Sequence, residues 1–307
     1  MSRSTISTFQ LFKLFPDVET ARTYLESKLW PNGATCPKCR KTEGIVTRTR
    51  VGFFRCPDCT LDFTIRTNTI FERSHVPLHK WIYAMYLLMT SRKGISSMQL
   101  AKEIGITQKS AWFVLGRLRE ACGQDLSMLK GIVEIDELYV GGKEANRHES
   151  KKLHLGTGYI GKTAVIGMKE RGGRTRAMKI SGVNRVNLQT MIRQNVEKGS
   201  TINTDEFYGY QGIANSGYLH KTVNHSAKEY VRNTVTTNSV ESVFAVMRRG
   251  LHGVYHHASA KHINRYVNEF TFRLNEGNVE RHTMERLDSL VSVVTGRRIT
   301  YKNLIAS

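Results

Sequence analysis

The sequence contains no long apolar run. Its longest, residues 81–89 (WIYAMYLLM), is nine residues, against the roughly 20 that a membrane-spanning helix needs, so a membrane protein is not expected. The opening residues, MSRSTISTFQLFKLF, lack the continuous apolar core and small-residue cleavage site of a secretory leader, and a cytoplasmic location is expected. Acidic side chains are scarce: 26 Asp and Glu stand against 46 Lys and Arg, a net charge of +20. That imbalance favours a polyanionic partner. Cysteines number five in 307 residues, too few for a disulfide scaffold. What is present is 40% hydrophobic and 23% charged residues, enough to bury a sizeable core in more than one domain.

The positive charge is spread over both halves but concentrated within the second. Residues 1–130 hold 20 basic and 10 acidic side chains and residues 131–307 hold 26 and 16, so each half carries +10. Segment 143–185 alone has 11 basic and three acidic residues. A scattered excess would be a solubilising surface; concentration into one segment points to a contact surface, with Lys143, Lys151, Lys152, Arg174 and Arg176 as candidates.

Four of the five cysteines form two pairs, Cys36-Pro37-Lys38-Cys39 and Cys56-Pro57-Asp58-Cys59, with 16 residues between them. Each CxxC puts two thiolates on one knuckle, and two knuckles close a tetrahedral site with no open position for substrate. The pattern predicts structural Zn²⁺ on Cys36, Cys39, Cys56 and Cys59. Short strands at 45–47, 53–55 and 61–65 make residues 31–70 a zinc ribbon, after a helical segment over 1–30. The fifth cysteine, Cys122, ends an apolar helical stretch and reads as a buried thiol.

Between 78 and 125 the pattern is helical. Ser96 is a plausible N-cap, Met98, Leu100, Ala101 and Ile104 form one stripe, Gly105 interrupts it, and Thr107 opens a further helix with Ala111, Val114, Leu115 and Leu118 inward. Two short helices about a glycine make a helix-turn-helix, whose second helix is expected to expose Gln108, Lys109, Arg117 and Arg119 to DNA.

After residue 130 strands dominate. Residues 131–140 (GIVEIDELYV) are β-rich, 164–169 and 176–180 flank the turn Arg171-Gly172-Gly173-Arg174 as a hairpin, 188–196 is helical, and 201–205 and 218–223 are strands. Helices follow over 237–249 and 260–274, the latter with Ile263, Val267, Phe270 and Leu274 on its apolar face. This order suits a mixed α/β sheet flanked by helices. Three acids stand out by position: Asp136 inside the first strand, Asp205 at the end of a later one, Glu241 on the next helix. Unpaired charge within an apolar strand is costly, and three such carboxylates could hold two divalent ions about 3.5–4 Å apart. Glu137 and Glu206 adjoin the two aspartates and compete with them on pattern alone. Asn238 and Glu229 compete with Glu241, but Asn238 is neutral and Glu229 precedes the helix. At 100° per residue Glu241 and Arg248 share one helix edge. His252, His256, His257 and His262 lie in a Gly-flanked loop without matching carboxylates and read as surface or phosphate contacts. Gly141-Gly142-Lys143 lacks the spacing of a P-loop.

With CPKC and FRCPDCTLDF, TIFERSHVPLHKW, GISSMQLAKEIGITQKSAWFVLGRLR, VEIDELYVGGK, NTDEFYGY and TTNSVESVFAVMRRGLHGVYHHASAKHINRYVNEFTFRLN, residues 20–275 resemble the DDE transposases of bacterial insertion sequences that carry an amino-terminal zinc ribbon. The resemblance implies a ribonuclease H-like catalytic domain over 131–275, so that with its zinc ribbon and helix-turn-helix the chain reads as a multidomain α/β protein. A tail over 276–307, with a helix expected at 284–294, is assigned no role. The resemblance also implies Asp136, Asp205 and Glu241 as the catalytic triad, Mg²⁺ or Mn²⁺ as cofactor, and Arg248 against DNA. It further implies double-stranded DNA with terminal inverted repeats and target DNA as partners, a homo-oligomer pairing two ends, and association with the nucleoid. The group usually has Trp and Lys where this chain has Phe244 and Arg248, substitutions that keep side-chain character. Two other functions fit parts of the pattern: a transposase-derived DNA-binding regulator without strand transfer, and a structure-specific nuclease on the same fold, which would need neither ribbon nor helix-turn-helix.

Overall fold

The computed structural model describes residues 5–123, 127–142, 148–152, 154, 159, 161–224, 231–232, 234–296 and 298–306, without the side chains of 151 and 306. The chain forms two compact units, one of Met1–Gln124 with Glu276–Ser307 and one of Asp125–Asn275.

In the first unit, α1 (Thr8–Leu14) opens on a capping box, with the Ser7 hydroxyl accepting from the Gln10 amide and the Gln10 side chain accepting from the Ser7 amide. Asp17 caps α2 (Val18–Leu29). Three two-residue strands, β1 (Val46–Thr47), β2 (Phe54–Arg55) and β3 (Asp62–Phe63), pair antiparallel in that order, and Trp30 packs edge-on against Phe54 and Phe63. The nine-residue apolar run lies in α3 (Leu78–Thr90), where nine side chains are buried; a helix apolar on all sides belongs inside a core. Ser96 caps α4 (Ser97–Ile104), Gly105 ends it at φ +62°, and Thr107 caps α5 (Gln108–Ala121). That left-handed turn costs glycine nothing and any residue with a Cβ about 1–2 kcal/mol, and it produces the expected helix-turn-helix.

In the second unit five strands build one mixed sheet. These are β4 (Ile132–Val140), β5 (Thr163–Glu170), β6 (Thr175–Ile180), then, after α6 (Arg185–Asn195), β7 (Thr201–Thr204) and β8 (Leu219–Thr222). The order is β6-β5-β4-β7-β8, antiparallel among the first three and parallel from β4 to β7 to β8. This is the ribonuclease H-like arrangement. A small ladder, β9 (Val231–Arg232) with β10 (Val235–Thr236), precedes α7 (Asn238–Gly250) and α8 (Ile263–Glu276). Side chains alternate across the sheet: Val133, Ile135, Ile166 and Met168 pack with Leu188 and Ile192 of α6, whereas Leu138, Val165 and Ala177 pack with Val240, Val243, Phe244 and Met247 of α7 and Val267 and Phe270 of α8.

Four side-chain expectations need correction, at Arg117, Arg119, Met98 and Leu274, and residues 276–307, to which the sequence assigns no role, gain one. They form α9 (Thr283–Val291) and α10 (Tyr301–Ala306) and complete the first unit. There Tyr24 donates to Asp288 at 2.5 Å, the Ile6 amide donates to the Thr283 hydroxyl, Ile70 and Val294 are joined through their backbones, and Leu304 fits against Gly116 of α5. Arg117 is not exposed to DNA: it is 4% exposed, with Nη1 donating to the carbonyls of Ile70 at 2.6 Å and Glu72 at 2.9 Å. Arg119 is buried as well. Met98 and Leu274, expected inward, are exposed.

Candidate active site

Alternation along β4 decides where its acids point. Asp136 pairs across the sheet with Gly167 of β5 and faces α7. A Cβ at Gly167 would fall 2.5 Å from the Phe244 ring, so the glycine admits the aromatic side chain beside Asp136. Glu137 points to the opposite face, where the buried Tyr210 hydroxyl donates to its carboxylate. Burial, opposed by that hydrogen bond and reinforced by the charges of Asp136 and Asp205, pushes the Glu137 carboxyl up to about 8. Asp205 follows β7 and accepts the Phe207 amide at 3.1 Å; its neighbour Glu206 is exposed.

Helix α7 brings the third acid. Its N-cap residue, Thr237, makes no side-chain bond to the helix backbone. Instead the Thr237 hydroxyl donates to the Glu241 carboxylate at 2.8 Å. The helix start is held from β4: Glu134, fully buried, accepts the Ser239 amide at 2.7 Å and the Ser239 hydroxyl at 3.2 Å. The same carboxylate accepts Arg171 Nη2 at 2.8 Å and Nε at 3.3 Å, and Arg171 also donates to the Thr234 carbonyl. One buried carboxylate thus ties the strand of Asp136 to the first turn carrying Glu241, a role the sequence reading did not assign it.

Asp136, Asp205 and Glu241 line one open cavity of about 600 Å³ together with Thr237, Asn238, Phe244 and Arg248. Arg248 is exposed. Hard carboxylate oxygens from three elements, with room for ions and their waters, suit Mg²⁺ or Mn²⁺. Among the described residues these acids gather around the cavity without forming a tight ligand cluster, which only the four cysteines do. Glu229 lies outside the described residues.

The cysteines are already arranged for metal. Their sulfurs lie within 4.8 Å of one another, with separations of 3.4, 3.5 and 3.8 Å; a tetrahedron with Zn–S of ~2.3 Å has S···S edges of ~3.8 Å. The two knuckles are alike: Arg40 and Thr60, each following the second cysteine of its pair, both take positive φ, and the Cys36 and Cys56 amides donate to Lys41 and Leu61 carbonyls. The ribbon fits structural zinc.

Two family models match the chain. The ISXO2-like transposase domain covers residues 128–275, the unit with the carboxylate cavity, and the transposase zinc-ribbon domain covers residues 16–61, which include all four cysteines. The chain belongs to the insertion-sequence DDE transposases that carry an amino-terminal zinc ribbon. A relative, an uncharacterized protein in transposable element ISH50 of Halobacterium salinarum, is 28% identical over 277 residues, 85% of this chain and 92% of its own. A solved pre-cleavage Mos1 transpososome resembles 71% of this chain and 80% of its own at 12% identity, with a TM-score of 0.29, too loose a likeness to support any inference.

The remaining basic candidates of this transposase are dispersed in kind. Lys109 is exposed, with its ammonium 4.8 Å from the Tyr301 ring centroid. Arg174 is exposed, Lys152 is half-buried and pairs with Glu149, and Arg176 donates to Asn195 and to the Ser127 carbonyl. Lys143 and the side chain of Lys151 lie outside the described residues. Among the described residues no helix is long and apolar enough to cross a membrane.

Proposed function

We propose that this chain is a DNA transposase that hydrolyses a phosphodiester at each end of its insertion sequence and transfers the freed 3′-hydroxyl to target DNA. The observation that carries the reading is the meeting of Asp136 on β4, Asp205 just after β7 and Glu241 on α7 at one cavity lined also by Arg248. These three carboxylates would hold Mg²⁺ or Mn²⁺. Such ions, when bound, activate the attacking oxygen and stabilise the leaving one. The protein's own share is positioning: Thr237 orients Glu241, Glu134 fixes the helix that carries it, and Arg248 engages the phosphate beside the reacting one.

The ribbon, held by Zn²⁺, and the helix-turn-helix, with Lys109 on its exposed side, bind the terminal inverted repeats. Lys143, Lys151, Lys152, Arg174 and Arg176 add a salt-sensitive contact to the DNA backbone. Two chains pair two ends, and the work is done in the cytoplasm on nucleoid DNA. The test is cleavage and strand transfer with oligonucleotides carrying the element's ends in Mg²⁺. Asp136→Ala, Asp205→Ala and Glu241→Gln are each expected to abolish both steps while end binding is kept. Activity that survives Asp136→Ala and is lost in Glu137→Ala overturns the assignment. Wild-type protein that binds ends and cleaves nothing is instead a regulator.

A further inference from the structure

The second unit has another cavity at the same end of the sheet, on the opposite face. It is about 580 Å³ and is walled by Tyr139, Tyr159, Phe207 and Tyr208, with Lys162 on its rim. The elements that carry the two aspartates also carry three of its four aromatic walls, Tyr139, Phe207 and Tyr208. On β4, Asp136 and Tyr139 are three positions apart and so project to opposite faces, about 10 Å apart along the strand. After β7, Asp205 accepts the Phe207 amide, so one short loop presents a carboxylate to the first cavity and two aromatic rings to the second.

The cavity is built rather than incidental. Gly209 makes room for one of its walls: a Cβ there would fall 2.6 Å from the Phe207 ring. Phe207 and Tyr208 have ring centroids 4.6 Å apart, and Tyr139 and Tyr159 5.3 Å apart. Tyr208 and Tyr159 are 60% and 64% exposed, large aromatic faces left open to solvent. Lys162 pairs with no carboxylate among the described residues. Flat aromatic walls beside a lysine match one ligand chemistry, a nucleobase stacked on the rings with its phosphate at the ammonium.

We propose that this cavity takes a single unpaired nucleobase of the bound DNA strand, within about three nucleotide steps (~3.4 Å each) of the phosphate held at the carboxylates. The inference rests on the nuclease reading above only for that register, not for base binding itself. Withdrawing one base frees the strand to bend around the end of the sheet. The unpairing costs a few kcal/mol, an expense that is least at a mismatch or an abasic partner.

Two measurements on the full chain test it. The first titrates a single-stranded tetranucleotide containing 2-aminopurine and reads its fluorescence. Saturable quenching is expected, weakened about tenfold by Tyr208→Ala or Tyr159→Ala, both surface positions, and unchanged by Asp136→Ala. Quenching that the tyrosine variants leave untouched overturns the proposal. The second scans 2-aminopurine through the three nucleotides on each side of the cleaved bond in duplex end DNA. One position is expected to respond, and Tyr208→Ala is expected to slow cleavage about tenfold and regain most of the rate when that nucleotide is mismatched. Equal cleavage by wild type and Tyr208→Ala, with no responsive position, also overturns it. Base binding that depends on the tyrosines in a wild-type protein that cleaves nothing supports the pocket and counts against the nuclease reading alone.

Discussion

Breaking the Glu134–Arg171 pair should cost different amounts from its two sides. Glu134 is fully buried, whereas the Arg171 side chain is 32% exposed. Arg171→Ala leaves a buried carboxylate with only the Ser239 amide and hydroxyl as donors. Removing one partner of a buried pair costs about 3–5 kcal/mol, and the partial exposure of Arg171 puts this case near the low end, about 3. Glu134→Gln leaves a guanidinium that can turn to water and still reach the Thr234 carbonyl; the loss of charge-assisted hydrogen bonds is then about 2 kcal/mol. Because both variants delete one interaction, the double variant should fall short of their sum by 1 kcal/mol or more, roughly. Since Glu134 holds the first turn of α7, amide exchange at Ser239, Val240 and Glu241 should quicken most. With tenfold for each 1.4 kcal/mol, the gain in Arg171→Ala is about two orders of magnitude if these amides exchange through local opening. Exchange by mass spectrometry or NMR on the full chain, with thermal unfolding alongside, gives both numbers. Equal or reversed losses for the two variants, or additivity in the double variant, would refute the clamp.

Three further outcomes are expected. Zinc should be present at one ion per chain, and Cys39→Ser or strong chelation should release it and expose Cys36 and Cys56 to thiol reagents without altering exchange in the sheet; metal analysis and thiol titration check this. Arg117→Met should lower the melting temperature by leaving the Ile70 and Glu72 carbonyls without their donor, at about 1–3 kcal/mol, and leave the salt dependence of DNA binding unchanged; a flatter salt slope would restore Arg117 to the DNA surface. Burial holds the His220 imidazole below its ordinary value. Its Nε2 meets the Thr204 hydroxyl at 2.9 Å, and that hydroxyl itself donates to the Asp205 carbonyl, so the ring is neutral with its proton on Nε2. The unfolded state then binds the extra proton first, and stability present above pH ~6.5 is lost as pH falls below it; His220→Gln should flatten the fall in urea midpoint between pH 7 and 5.

Local patterns made much of this legible. Paired cysteines, the glycine between α4 and α5 and the helical stripe Ala111, Val114, Leu115 and Leu118 each depend on neighbours in sequence, and each appears as expected. The same period of two that makes β4 a strand would have separated Asp136 from Glu137 and grouped it with Glu134, had the face of α7 been known. Arg117 misled because periodicity counts its charge and not its stem. A long side chain can lie within a core when acceptors await its head, and those acceptors, the carbonyls of Ile70 and Glu72, come from more than 40 residues away. The role of residues 276–307 was hidden for the same reason: α9 and α10 find their partners in helices formed near the other end of the chain.

That arrangement orders events during synthesis. The sheet unit is continuous from Asp125 to Asn275, so everything it needs emerges from the ribosome in one stretch and it can fold while translation continues. The unit with the ribbon and the helix-turn-helix is begun first and finished last, since its core waits for Leu287, Leu290, Val291 and Leu304. A nascent chain therefore holds its carboxylate cavity before the unit with the ribbon and helix-turn-helix is complete, and a translation product ending soon after residue 275 would keep the former and lack the latter.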